Sequence, residues 1–321
     1  MNFKSLFKIF FPIILGIFFI YLSIDITTKE ERRLIFQSIK NADLKFVFVG
    51  LIFAFLSHFS RAYRWRFLLS PMGYKPKLIN CFLSVLAAYL ANMGVPRSGE
   101  LVRASLISNY EQIPFEKGFG SIVIERVVDL IMLSIIILIA IIIEKESIWN
   151  FIVQNNINFL ELFVLGTLLV FCIYLIFISL KKSENKFLLK FKLLIDGFWE
   201  GVISIKKMEK KNYFLLHTLF IWIMYLAMFY VIKWSIPGTF NLTFNMIIPV
   251  FVVGGLSIAT TNGGIGVFPL SIALVLNSYG ISKDVGLSFG WIMWSSQTIF
   301  IILLGILSFI ALPLINRKHY I

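Results

Sequence analysis

Long apolar stretches separated by short charged connections dominate this chain. They lie at about 9–26, 44–64, 118–143, 160–180, 212–234 and 285–313. A helix needs about 20 mostly apolar residues to cross the hydrocarbon core of a bilayer, and terminal Lys or Arg side chains extend a shorter stretch to the interface. The pattern predicts an all-α, polytopic integral membrane protein with six full transmembrane helices. The first is interpreted as an uncleaved signal anchor, because no small-residue cleavage site follows Leu22.

Two further apolar stretches, 78–110 and 245–280, are interrupted by helix-breaking residues. The first is broken at 92–99 (NMGVPRSG) and the second at 260–266 (TTNGGIG). Irregular backbone at membrane depth is tolerated only inside protein or beside a cavity. Each stretch is therefore predicted to be a re-entrant helical hairpin, which enters and leaves the membrane on the same side.

The order of these elements predicts an inverted repeat. The halves at about 1–143 and 160–313 each contain three spans and one hairpin, and an odd number of spans inverts the second half. Paired broken helices in inverted halves point to a binding site near the bilayer midplane. The whole chain, 1–321, is predicted to be one membrane domain. For 187–208, a cytoplasmic amphipathic helix on the lipid surface and a linker helix packed on the bundle both remain open.

Composition and charge agree with this architecture. The chain is 59% hydrophobic and 15% charged, which excludes an ordinary soluble domain. Its net charge of +13 is concentrated in short connections, chiefly 61–77, 103–117 and 181–211, so it is interpreted as an orientation signal and not as a nucleic-acid surface. Both termini are then cytoplasmic. Arg97 and Arg126 are exceptions, since the prediction places them at membrane depth.

The break of the first hairpin contains the first candidate site. If the second half-helix begins near Pro96, then Arg97, Glu100 and Arg103 share one face, and Asn92 is the first residue of the break. A helix N-terminus inside a membrane attracts anions, and arginine forks bind a phosphodiester. The open alternative is a closed salt-bridge network among these three charged residues, which would hold the hairpin together.

Glu125, Arg126 and Asp129 form a second cluster, inside the predicted 118–143 helix. Arg126 has the helical spacing to pair with Asp129. A buried carboxyl group here suits proton coupling. The preferred interpretation is that these acids pair with Arg97 or Arg103 of the hairpin.

The break of the second hairpin is a third candidate, because its glycines allow close backbone approach to a ligand or a tight turn. Its residues are Asn262, Gly263, Gly264 and Gly266. Two more arginines, Arg61 and Arg64, end the second span, where they either face a headgroup or reach the interface. His58 on the same span is interpreted as hydrogen-bonded packing.

The sequence offers little that suggests an enzyme. It contains no H-E-x-x-H pattern, and its one G-x-S-x-G match, at 286–290, lies inside the predicted 285–313 span. Cys81 and Cys172 lie within apolar stretches, and the three histidines are far apart. We therefore expect no catalytic activity, no cofactor and no metal.

Four motifs together resemble the flippase-like family, also described as the lysylphosphatidylglycerol synthase transmembrane region. They are R-x-x-R-W at 61–65, N-x-x-x-P-R-x-G-E-x-x-R at 92–103, E-R-x-x-D at 125–129 and G-G-x-G at 263–266. The resemblance implies a bacterial or archaeal membrane protein that moves or handles lipids or lipid-linked sugars. Synthase-type members have an additional cytosolic aminoacyl-transfer domain, which is not evident here, so synthase activity is not expected.

These observations favour a translocase for membrane phospholipid or a lipid-linked substrate, with an anionic headgroup bound centrally between the two hairpins. Two alternatives remain. One is a non-transporting membrane subunit that presents lipid to a partner enzyme, and the other is a gradient-coupled carrier of a small solute. The sequence leaves the oligomeric state open.

Overall fold

A computed structural model describes residues 28–146, 208–261 and 263–316. Within these ranges the secondary structure is helical, with no strand. Contacts divide the chain into two compact units, one formed by Met1–Ile122 with Glu209–Ile321 and the other by Val123–Met208. The first unit contains most of the described helices.

Nine α-helices lie within the described residues. They are α1 Lys29–Lys40, α2 Leu44–Leu69, α3 Leu78–Gly94, α4 Gly99–Glu111, α5 Phe115–Ile143, α6 Lys211–Ile232, α7 Phe244–Thr260, α8 Val267–Ser278 and α9 Lys283–Ile315. Short 3-10 turns follow α2 and α6. Four of the helices, α2, α5, α6 and α9, are long and apolar enough to cross a membrane. By contrast, α3, α4, α7 and α8 have 17 residues or fewer, or about 25 Å at most, short of a full crossing.

These helices confirm much of the predicted element order. The apolar stretches at 44–64, 118–143, 212–234 and 285–313 are helical, and each predicted hairpin is a pair of short helices. The predicted spans at 9–26 and 160–180 lie outside the described residues, as does all of the 187–208 helix except Met208. Helix α1, which packs against α9, was not predicted.

Helices α2 and α6 pack side by side in antiparallel directions. Asp43 caps the start of α2 by accepting a hydrogen bond from Lys45 N at 2.9 Å. Gly50 then allows close contact, because an added Cβ would lie 2.8 Å from Ile232 Cδ1 near the end of α6. Helix α2 of this pair also packs against α3, the first helix of the first hairpin.

Helices α3 and α4 form hairpin 1 (Leu78–Glu111), which is closed at both ends. At its base, Glu111 Oε1 accepts hydrogen bonds from Lys77 N and Asn80 Nδ2, at 3.0 and 2.5 Å. At its break, Asn92 Oδ1 accepts from Gly99 N at 2.7 Å. The start of α3 therefore lies beside the end of α4.

Helices α7 and α8 form hairpin 2 (Phe244–Ser278), which is held mainly by apolar packing. Thr243 caps α7 by accepting from Met246 N. Gly254 lets the two helices approach closely, since an added Cβ would lie 2.8 Å from Phe268 Cε2 and 3.3 Å from Ile272 Cδ1. This contact brings α8 back along α7.

Helix α9 packs antiparallel to α8 over its first half. At Gly286 an added Cβ would lie 2.8 Å from Ala273 Cα, and at Gly290 it would lie 2.6 Å from Pro269 Cα. Only glycine leaves room for this backbone-to-backbone approach. Hairpin 2 therefore lies directly on α9, with its base beside the start of that helix.

The second half of α9 packs antiparallel to α3. An added Cβ at Gly305 would lie 2.5 Å from Leu90 Cβ. At the end of α9 the side-chain amides of Asn316 and Asn80 exchange two hydrogen bonds, at 3.0 and 2.9 Å. Hairpin 1 thus has its base at the opposite end of α9 from the base of hairpin 2.

Both hairpin breaks consequently lie near the middle of α9. Trp294 Nε1 donates to Gly263 O in the break of hairpin 2 at 2.7 Å. One helical turn beyond the contact between Gly305 and Leu90, Gly94 at the end of α3 lies opposite Ile301 of α9. The two breaks are then separated by about 10 Å along the helix axis.

Candidate functional site

Arg61 and Arg64 lie inside the protein, on the face of α2 that meets α6. Their exposed fractions are 3% and 0%. Arg61 Nη2 donates to Tyr225 Oη at 3.3 Å, and Arg64 Nη1 donates to Thr218 Oγ1 at 3.1 Å. Neither side chain extends outward to the membrane surface. Both guanidinium groups instead connect α2 to α6.

Arg103 is also buried, with 2% of its surface exposed. Its guanidinium carbon lies 3.8 Å from the ring centroid of Trp65, a cation–π contact between α4 and α2. The Trp65 ring is itself fixed, because its Nε1 donates to Ser121 Oγ at 2.8 Å. Arg103 therefore fastens hairpin 1 to α2.

Arg97 differs from Arg61, Arg64 and Arg103. It is exposed and lies in the break, with a left-handed backbone φ of 61°. Helix α4 begins only at Gly99, so the prediction of a start near Pro96, with Arg97 on the same face as Glu100 and Arg103, is wrong. Within the described residues Arg97 makes no hydrogen bond or ion pair, so it takes no part there in a closed network.

The difference in helix start has a local cause. The side-chain oxygen Oδ1 of Asn92 accepts from Gly99 N across the break, which fixes Gly99 as the first helical residue. Ser98 Oγ donates to Val95 O and Ala91 O, which holds the intervening residues in a tight turn. Glu100, half-buried, lies in the first turn of α4, where the helix dipole favours a carboxylate.

The acidic cluster of α5 lies in the second compact unit. Glu125 is fully buried, whereas 44% of the Arg126 side chain and 13% of the Asp129 side chain are exposed. Arg126 Nη1 lies 3.6 Å from Asp129 Oδ2, which confirms the pairing predicted from their spacing. Pairing of these acids with Arg97 or Arg103 stays a prediction.

The break of hairpin 2 is a tight turn with positive backbone angles. Gly263, Gly264 and Gly266 have φ values of 69°, 76° and 71°, which explains the need for glycine at each position. Thr261 Oγ1 accepts from Gly264 N at 3.1 Å and stabilises the turn. Asn262, the remaining candidate here, lies outside the described residues.

Several contacts that position these residues were missed in the sequence. The Asn80–Asn316 amide pair and the Arg103–Trp65 stack join residues far apart in the chain, for which spacing gives no signal. Lys233, next to the end of the predicted 212–234 span, is 5% exposed, and its side chain donates to Leu242 O. The one signal of such a contact in the sequence is a polar residue inside an apolar stretch, such as Asn80.

Among the described residues, no group of three His, Cys, Asp or Glu side chains lies close enough together to hold a metal ion. The chemistry available in this region is that of arginine, amide and hydroxyl groups. These bind anions and oxygen-rich groups.

Residues 9–305 match the family model described as "Lysylphosphatidylglycerol synthase TM region". The chain belongs to this family. The match covers both hairpins and every predicted site residue, so the resemblance drawn from the four motifs is confirmed. The name describes a membrane region, and this chain is accordingly a membrane protein with several apolar helices.

A relative of this transmembrane-region family is the UPF0104 membrane protein MJ1595 of Methanocaldococcus jannaschii. It is 24% identical over 314 residues, which covers 87% of each chain. This relative comes from a prokaryote, in line with the predicted cellular context. No solved structure matches the chain.

Proposed function

We propose that this protein is a non-enzymatic lipid translocase that receives an anionic headgroup between the breaks of its two hairpins. The acyl chains stay in the bilayer while the headgroup passes through the polar centre. The main observation in support is that the two hairpins, built from helices too short to cross a membrane, lie along α9 with both breaks near its middle. Membership of a lipid-related membrane family supports the same substrate class.

In this proposal the hairpins are re-entrant. Each of their helices is too short for a full crossing, while α9, with 33 residues, spans about 50 Å. The base of hairpin 1 lies beside the basic connection 61–77, whose positive charge favours the cytoplasmic side. A headgroup at the breaks would then be near the bilayer midplane, where alternating access from the two sides is possible.

Arg97 is the residue that we assign to first contact with the headgroup. Its guanidinium is exposed and lies in the break, and within the described residues it has no polar contact. By contrast, Arg61, Arg64 and Arg103 are buried in contacts between helices. An anionic headgroup near the bilayer centre gains more from a fixed positive charge than it would in water.

A reconstitution assay tests the proposal. Purified protein is placed in liposomes that contain headgroup-labelled phosphatidylglycerol, and a membrane-impermeant quencher reports how much label is accessible. We expect faster translocation than in protein-free liposomes, and Arg97→Ala to slow it at least tenfold without a change in melting temperature. Arg103→Ala removes the contact with Trp65 and is expected to lower the melting temperature.

A second candidate function is a non-transporting subunit that presents lipid to a partner enzyme. The burial of Arg61, Arg64 and Arg103 in interhelical contacts favours it, because charges of this kind stabilise a scaffold. Equal translocation in protein-containing and protein-free liposomes would reject the translocase. A partner that then co-purifies reproducibly in native lipid would support the subunit.

A further inference from the structure

Four helices of the first unit meet at His58 of α2. Its ring centroid lies 4.6 Å from that of Tyr89 on α3, 6.4 Å from Tyr225 on α6 and 6.4 Å from Phe300 on α9. Only 5% of the histidine is exposed. Phe300 is adjacent to Ile301, which lies opposite the end of α3, so His58 is level with the hairpin breaks.

Buried nitrogen atoms without a partner lie on three of these helices. Neither ring nitrogen of His58 has a hydrogen-bond partner within the described residues, and the same holds for Trp222 Nε1 and Gln297 Nε2. Buried polar groups in folded proteins are nearly always hydrogen-bonded, so each exception calls for an explanation. Three exceptions on α2, α6 and α9 have a common explanation if a bound group supplies the acceptors.

The three side chains are neighbours of one aromatic cluster. The Trp222 ring centroid lies 6.2 Å from that of Tyr225, which contacts His58 directly. Gln297 lies one helical turn before Phe300, the other neighbour of His58. Trp222 is therefore linked to the imidazole through the Tyr225 ring, and Gln297 precedes on α9 the Phe300 ring that contacts it.

The available chemistry selects an acceptor-rich, anionic ligand. Indole and amide nitrogens are donors only, and an imidazole presents at least one N–H in every protonation state. Arg61, one turn after His58, adds a positive charge and donates to Tyr225 Oη at 3.3 Å. Phosphate oxygens accept several hydrogen bonds at once and are favoured by a nearby guanidinium.

We propose that His58, Trp222 and Gln297 form a phosphate-binding centre at the level of the two hairpin breaks. The inference rests on the proposed function and deepens it, because it names the phosphate as the part of the headgroup that is recognised inside the protein. Arg97 makes the first contact in the break of hairpin 1. The centre on α2, α6 and α9 then holds the phosphate between the hairpins.

A binding experiment on the purified full chain in detergent tests the centre. The probes are dihexanoyl phosphatidic acid, dihexanoyl glycerol, which has the same acyl chains without phosphate, and glycerol 3-phosphate, which has no acyl chains. We expect only phosphatidic acid to bind and to raise the melting temperature. Equal binding of glycerol 3-phosphate would assign the centre to a soluble phosphate compound, whereas equal binding of dihexanoyl glycerol would overturn it.

Variants locate the binding. His58→Phe and Gln297→Leu replace unpaired buried donors with apolar groups of similar size, so we expect an equal or higher melting temperature without ligand. The dissociation constant for phosphatidic acid should rise at least tenfold. The matched control is Ser308→Ala on α9, whose hydroxyl donates to Leu304 O, and it should leave the affinity unchanged.

One outcome contradicts the centre. Wild-type affinity in His58→Phe and Gln297→Leu would overturn it, and a lower melting temperature alongside it would indicate a structural role. If His58→Phe does not fold, Trp222→Phe removes the indole N–H together with part of the ring, and the same affinity measurement decides the question. Binding without translocation contradicts only the proposed translocase, whereas translocation that His58→Phe leaves unchanged contradicts only the phosphate centre.

Discussion

Hairpin 1 and hairpin 2 have the same architecture, but their breaks are made of different residues. The break of hairpin 2 uses Gly263, Gly264 and Gly266, which adopt positive φ at little cost. The break of hairpin 1 places Arg97 at a φ of 61°, which costs about 1–2 kcal/mol for a residue with a side chain. A strained, charged residue persists only where surrounding contacts enforce it.

The contacts that hold the two hairpins differ in the same way. Hairpin 1 depends on polar groups, with Glu111 and Asn316 at its base and Arg103 stacked on Trp65. Hairpin 2 depends mainly on close backbone packing against α9. We infer that the break that contains Arg97 depends on hydrogen bonds and the Arg103–Trp65 contact. The glycine break depends instead on close packing of α8 against α9.

The largest expected effect concerns the packing of hairpin 2. Gly290→Ala would place a Cβ 2.6 Å from Pro269 Cα, and we expect a loss of about 3 kcal/mol in stability because backbone must move. Thermal melting in detergent measures this loss. Gly255→Ala is the matched control, since no atom lies within 4 Å of its added Cβ. Equal melting temperatures for the two variants would contradict the packing model.

The next effect concerns the polar base of hairpin 1. Asn316→Ala leaves the buried amide of Asn80 without its partner on α9, and we expect a loss of about 2 kcal/mol. The measurement is again a melting curve. Asn277→Ala, which removes an exposed amide contact with Ile281 O, should change stability by less than about 0.5 kcal/mol. The base is not a polar clamp if both variants melt alike.

A smaller effect on stability, of opposite sign, is expected in the break of hairpin 1. Arg97→Gly removes the left-handed strain and should stabilise the protein by about 1 kcal/mol, while translocation falls at least tenfold. Gln112→Gly relieves a similar φ of 58° at the end of α4 and should stabilise the protein without changing translocation. Loss of translocation in both variants would show that the guanidinium is not the cause.

The smallest expected effect concerns the break of hairpin 2. Trp294→Phe removes the hydrogen bond to Gly263 O, which is worth about 1 kcal/mol or less at this partly exposed site. Trp291→Phe on the same helix is the control, because that indole makes no side-chain hydrogen bond within the described residues. If Trp291→Phe melted at a lower temperature than Trp294→Phe, the hydrogen bond to Gly263 O would not be the contact that stabilises the turn.

Much of the described architecture was predictable from local pattern. Apolar length identified the helices at 44–64 and 285–313, and Pro, Gly and Asn located both breaks. The Arg126–Asp129 pair followed from helical spacing. The start of α4 was not predictable, because a hydrogen bond from Gly99 N to the Asn92 side chain decides it.

The sequence by itself determined the family, the membrane class and the positions of the breaks, because apolar length, helix-breaking residues and motif spacing are local properties. The tertiary structure decided which arginines are available to a ligand. Arg103 is buried because Trp65, distant in sequence, lies beneath it, whereas Arg97 is exposed because the closed hairpin holds it in the break. Whether a side chain is buried depends on contacts between segments that are distant in the sequence. The spacing of residues within one segment carries no information about those contacts.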